Sequence, residues 1–229
     1  AQAVPEKVQA AWARWSAPAT MGLNPRTGRL FGDIHFMCKG GAGATLGFDG
    51  WDHLGVISCA GGLRSPDPEL HELVCPYTVL QYEYLTDSAG AGKWRGGMGT
   101  AYRFRVEGDG ILSDNFGDGL KPETAPFGIV GGKGTAPSKL NVKRADGSFE
   151  DPDVHKFVML NKGDIYEIDE TGGGGYGNPF ERETAAVLDD VLDELVSMDR
   201  AKKDYGVVID SETMTVDEES TRALREAAS

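Results

Sequence analysis

Glycine constrains this chain more than any other feature. It supplies 32 of the 229 residues, about twice the ordinary share of ~7%. The glycines concentrate at residues 40–50, 89–99, 128–134 and 172–177. No G-X-Y period accompanies them, which excludes a collagen-like triple helix. Glycine at this density predicts a turn-rich β structure with many tight turns and left-handed backbone positions.

The remaining composition is that of a folded chain. Hydrophobic residues make up 40% and charged residues 26%, which excludes disorder along most of the length. No apolar run approaches the ~18 residues of a membrane span. The length predicts one large domain or two small ones. The net charge of −13 is uneven: residues 1–149 carry 15 acidic and 15 basic groups, residues 150–229 carry 21 and 8. With no basic stripe to compensate, nucleic acid and anionic membranes are excluded as partners. The acidic end serves solubility or meets a basic partner subunit. Cys38, Cys59 and Cys75 are odd in number and form no CxxC pair, so a disulfide framework is not expected. The absence of an apolar leader makes the cytoplasm the expected location. The chain opens Ala-Gln-Ala-Val-Pro without methionine, as a processed product or a fragment of something longer would.

Local patterns predict the elements. Pro5 opens a helix-like stretch with Val8, Ala11, Trp12 and Trp15 at helical spacing. Asn24-Pro25 and Gly28 mark a turn, and residues 30–37 read as a strand. Residues 77–85 and 101–106 alternate as strands that pair with neighbours. Further strands are expected near Ile111 and at 127–130, 140–143, 156–160 and 165–168. Their spacing suits an antiparallel barrel or sandwich. Asn178-Pro179-Phe180-Glu181 has the form of a capping box that opens an apolar helical stripe at Val187, Leu188, Val191, Leu192 and Leu195. A second helix at 198–205 should end at Gly206, followed by a short strand at 207–209. Thr215-Val216-Asp217-Glu218 should cap a terminal helix through Arg225. The fold class expected is α+β: a mostly antiparallel, glycine-rich β core over 1–177, with an acidic helical segment over 178–229 packed on it.

Few motifs carry chemistry. The run 172–177 contains a formal GxGxxG, but the helix opens after its last glycine and no βαβ unit follows. A tight structural turn is the stronger reading, and it would turn a strand into the helix at Pro179. The run 131–135 lacks both the first glycine and the Ser/Thr of a P-loop, and reads as a hairpin turn. The loop at 92–99 frames Lys93 and Arg95 with glycine beside Trp94. Those two cations are the candidate site residues, able to hold an anion. The alternative is that Arg95 pairs with an acid such as Asp87 and braces the loop. His35, His53, His71 and His155 show no HxH, HxxxH or HExxH spacing, so no self-contained metal site is expected. Asp49, Asp52 and His53 lie close enough to supply a metal or acid/base group, or simply a turn.

The glycine loops read together resemble one family. The carriers are Gly40-Gly41-Ala42-Gly43-Ala44 with Asp49-Gly50-Trp51-Asp52, then the run from Thr86 to Gly99, Pro126-Phe127-Gly128 with Gly131-Gly132, Gly172 to Gly177 with Asn178-Pro179 and Arg182, Asp190-Val191, and Tyr205-Gly206-Val207. Their order resembles the C-terminal part of the hydantoinase B/oxoprolinase family. The resemblance implies a subunit of an ATP-dependent multisubunit enzyme. ATP and magnesium would sit on a hydantoinase A-like partner. The family's metal-binding motifs belong to an N-terminal half that this sequence lacks. A divalent metal would therefore sit on that half or on another chain, with no cofactor on this one, and the isolated chain would be inactive. The leading reading is a ketone carboxylase subunit (a ligase) that joins a phosphorylated enol to bicarbonate. The alternatives are a hydantoin or lactam amidohydrolase subunit and a structural subunit without site residues. Trp12 and Trp15 are expected on apolar surface that a partner covers.

Overall fold

The structure, a computed structural model, describes residues 4–13, 15–55 and 64–228. Cys59 lies outside the described residues. Two antiparallel sheets share one core. The first has the order β2-β1-β5-β8, from β1 (Ala17–Asn24), β2 (Arg29–Ile34), β5 (Ile111–Phe116) and β8 (Phe157–Leu160). The second has the order β3-β4-β9-β6-β7, from β3 (Tyr77–Tyr84), β4 (Thr100–Val106), β6 (Lys139–Lys143), β7 (Phe149–Glu150) and β9 (Ile165–Asp169). Alternation along the strands sends Ile111, Val158 and Leu160 of one sheet, and Tyr102, Phe104, Tyr166 and Ile168 of the other, into a common interior. The fold is α+β, as expected, and takes the sandwich form. A short helix α1 (Pro68–Val74) links the sheets, capped by the Asp67 side chain with Pro68 at its first turn.

Three expectations change, two of them near the N-terminus. The helix-like stretch shrinks to one 3-10 turn at Pro5–Lys7. Beyond it the backbone is committed elsewhere: Ala10 N–H donates to Ala44 O, Ala11 to Phe127 O and Ala13 to Gly41 O. Those long-range bonds replace the helical i to i−4 bonds. Trp15 is buried, stacked on Phe36 and edge-on to Phe116, and Trp12 is half-buried. One stretch of exposed apolar surface is the outer face of the first sheet, where Met21, Leu23, Leu30, Phe157 and Met159 all face out. Residues 127–130 form no strand; Ile129 makes only a single bridge to Tyr176.

The glycine runs do not serve mainly as turns. Of the glycines in 172–177, only Gly177 takes a positive φ. Gly172–Gly175 are required by proximity. A Cβ on Gly173 would stand 1.9 Å from Ala42 O, and one on Gly97 2.0 Å from Trp51 O. Segments 10–13, 40–44, 89–97, 127–133 and 172–176 lie backbone against backbone. Gly97 N–H donates to Ala42 O, Gly173 to Gly97 O, Gly174 to Ala11 O, Gly90 to Gly173 O and Gly175 to Lys133 O. The result is a hydrogen-bonded bundle of main chains beside the sheets, assigned neither to helix nor to sheet.

The C-terminal residues form a second small core from Val187, Val191, Val196, Ala201, Tyr205, Val207 and Ile209, joined by Ala91 of the bundle. Its helices are α2 (Thr184–Leu192), α3 (Met198–Tyr205) and α4 (Glu218–Glu226), with a two-stranded ribbon of β10 (Ile209–Asp210) and β11 (Thr215–Val216). Helix α3 ends at Gly206 with φ 64°, as expected. The expected capping box at Asn178 caps only a 3-10 turn, Pro179–Glu181, because Arg182 leaves the helical path and α2 starts at Thr184. The terminal helix is capped by Asp217 rather than Thr215.

Glu170, at the junction of β9 and the bundle, is fully buried and accepts a hydrogen bond from Ser16 N–H. Burial pushes its pKa up to about 8. Two outcomes follow from this architecture. Gly173→Ala should cost at least ~3 kcal/mol in urea unfolding, since the atoms it meets are backbone, whereas Gly32→Ala, with nothing within 4 Å, should be neutral or stabilising by up to ~1 kcal/mol. Below the ordinary carboxyl pKa, Glu170 is protonated in both folded and unfolded chains. As pH rises towards about 8 the unfolded chain releases this proton and the folded chain holds it, so stability falls across that window. Glu170→Gln should therefore gain stability relative to the native chain at pH 8 and lose that advantage at pH 4, measured by unfolding at both.

Candidate functional site

The loop Asp49-Gly50-Trp51-Asp52 lies across the 93–98 segment because its carboxylates cap that segment's amides. Asp49 Oδ1 accepts from Arg95 N–H at 2.6 Å, and Asp52 Oδ1 from Met98 N–H at 2.7 Å. Both carboxylates also meet guanidinium groups. Arg182 grips Asp49 through both terminal nitrogens at 2.7 and 2.8 Å, and reaches Asp190 at 2.9 Å. Arg95 donates to Asp190 at 3.1 Å, Asp52 at 3.3 Å and Gly96 O at 2.7 Å. Burial works against the charged form of Arg95, but Asp190, Asp52 and Asp49 outweigh it and hold the guanidinium protonated. Asp190 responds in the opposite sense: burial raises its carboxyl pKa and the two arginines offset that only in part.

The two candidate cations therefore separate. Arg95 is 5% exposed and tied to three partners within the chain. Asp87 is not among them; it accepts from Ser197 N–H and so anchors the helical segment. Lys93 stays at the surface, 3.2 Å from Glu181 and over the Trp94 ring. In the run 131–135, Lys133 pairs with Asp204, which fixes the bundle to α3. The five charged groups Asp49, Asp52, Arg95, Arg182 and Asp190 form a knot that fixes position.

A cleft of about 340 Å³ opens beside this knot, lined by His53, Tyr82, Glu83, Tyr84 and Thr100. Alternation along β3 places Tyr82 and Tyr84 on one face. His53 has φ 48°, a strained backbone for a non-glycine residue. Its Nε2 lies 2.9 Å from Met37 O and 3.3 Å from the Tyr82 hydroxyl. A carbonyl partner places the proton on Nε2 and leaves the lone pair on Nδ1. Burial lowers the imidazole pKa, and nearby Lys39 lowers it further against the Met37 carbonyl. A neutral histidine beside a phenol at the wall of a cleft can accept and return a proton. The grouping of His53 with Asp49 and Asp52 thus holds in space but not in function, because the arginines take both carboxylates. Tyr82 and Tyr84 were visible in the sequence only as strand residues. A groove of about 840 Å³ runs along the exposed side chains of Lys121, Lys139, Asp151, Asp153 and Lys156. On the far side of the core, His71 meets Asp33 and Cys75. His155 is exposed.

Comparison with known proteins adds a frame. The family model described as hydantoinase B/oxoprolinase matches residues 1–179. The caprolactamase subunit beta of Pseudomonas jessenii is 35% identical over 99% of this chain and 39% of its own length. The crystal structure of the ATP-dependent caprolactamase from that organism superposes with a TM-score of 0.80 at 33% identity, over 98% of this chain and 39% of that one. The acetophenone carboxylase delta subunit of Aromatoleum aromaticum is 30% identical over 82% of this chain and 31% of its own. A nucleotide-free acetone carboxylase structure shares the fold, with a TM-score of 0.84 at 23% identity, over 99% of this chain and 34% of that one. The chain spans less than two fifths of the length of the curated relatives it matches.

The knot carries its own test. Arg95→Met leaves Asp190 and Asp52 short of a buried cation and should cost about 3 kcal/mol or more in chemical denaturation. Lys93→Ala removes one surface pair and should stay within about 0.5 kcal/mol of the native chain.

Proposed function

The chain belongs to the hydantoinase B/oxoprolinase family, and from that premise we propose that it forms the C-terminal part of a B-type subunit in an ATP-dependent enzyme that opens a cyclic amide, a lactam or hydantoin. The observation that carries this reading is the 35% identity to the caprolactamase subunit beta, which runs through 99% of the chain. Likeness to the acetophenone carboxylase subunit is lower and less complete. Ketone carboxylation is the second reading, favoured by the fold shared with acetone carboxylase.

In this proposal ATP and magnesium bind a hydantoinase A-like partner, and the catalytic divalent metal binds the N-terminal half of the B-type module, outside these residues. Phosphorylation of the amide oxygen makes its carbon open to attack by water. Water adds to that carbon, the C–N bond breaks as the nitrogen takes a proton, and the acyl phosphate left behind is hydrolysed by a second water to carboxylate and phosphate. Each addition requires a group that takes a proton from the water, and the cleavage one that gives a proton to the leaving nitrogen. His53 is the residue of this chain best placed for that work: neutral, at the mouth of a cleft, and held in register by Met37 O. The charge knot behind it fixes the loop on which it stands.

The test is an assay of the assembled complex, purified with its partner chains. ATP consumption should depend on a lactam or hydantoin and be indifferent to ketone plus bicarbonate. The reverse dependence overturns the reading in favour of carboxylation. His53→Asn, which tolerates the left-handed backbone, should lower turnover by about 100-fold while the complex stays intact by size-exclusion chromatography. Unchanged turnover assigns this chain a supporting role only.

A further inference from the structure

Residues Asp33, His71 and Cys75 stand apart from the cleft, where strand β2 meets helix α1. Register explains how a carboxylate comes to face inward. Thr20 pairs with Asp33 across β1 and β2, and the alternation that turns Met21, Leu23 and Leu30 outward turns Thr20 and Asp33 to the core side. His71 lies in α1 and Cys75 is the residue that caps its C-terminus, its N–H closing the last turn on His71 O at 2.8 Å. The donor atoms of the three residues lie within 4.8 Å of one another. Asp33 Oδ2 and His71 Nε2 face each other at 3.5 Å. Both atoms are buried, His71 being only 6% exposed, and neither makes a hydrogen bond, their contacts being the looser charge pairs between themselves and from His35. Buried polar atoms in this state signal a missing partner.

We propose that Asp33, His71 and Cys75 bind a zinc ion or a closely related divalent transition metal. Zinc–ligand bonds of about 2.0–2.3 Å set tetrahedral edges near 3.3–3.8 Å, and the Asp33–His71 separation already falls there. Thiolate with imidazole selects zinc over magnesium or calcium. Binding moves one proton from the Cys75 thiol to solvent, and the thiolate and the Asp33 carboxylate then cancel the two charges of the ion. An outer layer is also in place. His35 Nε2 stands 3.4 Å from Asp33 Oδ2, and the same ring contacts Thr20 Oγ1 at 3.2 Å and the Tyr102 hydroxyl at 3.3 Å. Such partners hold ligating carboxylates in position. His71 stacks on Tyr77, which limits its ring to one orientation. Among the described residues these three are the His, Cys and carboxylate side chains whose donor atoms meet this closely. Spacing alone hid the site, because its third ligand comes from a strand about forty residues away.

The test uses the full chain, stripped with a chelator and titrated with cobalt(II) and then zinc(II). One cobalt per chain is expected, with the visible bands of a tetrahedral ion and a thiolate charge-transfer band in the near ultraviolet. Zinc should displace it and raise the unfolding temperature. His71→Ala and Cys75→Ser should each weaken zinc binding by at least ~100-fold, the upper end of what loss of an outer partner costs, while His155→Asn leaves it unchanged. Failure to take up cobalt stoichiometrically at micromolar concentration overturns the proposal. So does uptake without the charge-transfer band, a readout on the native sequence that needs no variant to fold. The measurement involves neither ATP nor a partner chain, so its failure leaves the cyclic-amide reading standing.

Discussion

Main chains in this protein approach one another more closely than side chains allow, and the rest of the molecule is arranged around that contact. Where Gly97 passes Ala42 and Trp51, and where Gly173 passes Ala42 and Gly43, hydrogen atoms occupy the places a methyl group would take. Amides taken from water in such a bundle need partners, and the neighbouring carbonyls provide them at 2.8–3.0 Å. The bundle therefore obtains its order from directional bonds between backbones, whereas the adjoining sandwich obtains its order from apolar burial. The sheets supply the apolar wall, and the bundle carries the loops that bear the charged groups.

The charge knot ties the C-terminal helices to this frame. Burying Asp190 with Arg95 and Arg182 is expensive in desolvation, and such clusters add little net stability. What they specify is position. Only one placement of α2 lets Asp190 meet both guanidinium groups while Arg182 also meets Asp49. Asp87, anchored to Ser197 N–H, and Lys133, paired with Asp204, add two further ties to the same segment. His53 stands next to Asp52 in the sequence, so the cleft inherits this rigidity.

Much of this was legible in the residues. Strand alternation at 77–84 and 100–106, the Gly206 stop of α3 and the resemblance carried by the glycine loops all read directly, since each depends on local chemistry. The non-helical path over residues 10–13 is not legible: Trp12 and Trp15 at helical spacing point to a helix, and only long-range bonds set the actual course. Glycine density predicts turns because φ is a local property, whereas close approach is a tertiary one. The partners of Arg95 were missed for the same reason, Asp190 being 95 residues away. The HxxxC pair of α1 and its C-cap was available as a signal, but Asp33 joins it only through strand register.

The glycine contacts also bear on how such a protein can change over time. In an apolar core, a residue that grows can be answered by a neighbour that shrinks, and volume is conserved. That exchange is closed to the bundle. Gly97 already faces the backbone of Ala42 and Trp51, and Gly96 the backbone of Gly173; no residue is smaller than glycine, so a substitution on one strand finds no compensating substitution on the other. Sequence drift must go around these positions rather than through them. The sheets and helices can be rebuilt for new substrates or partners, while the interlocked main chains persist as the inherited part.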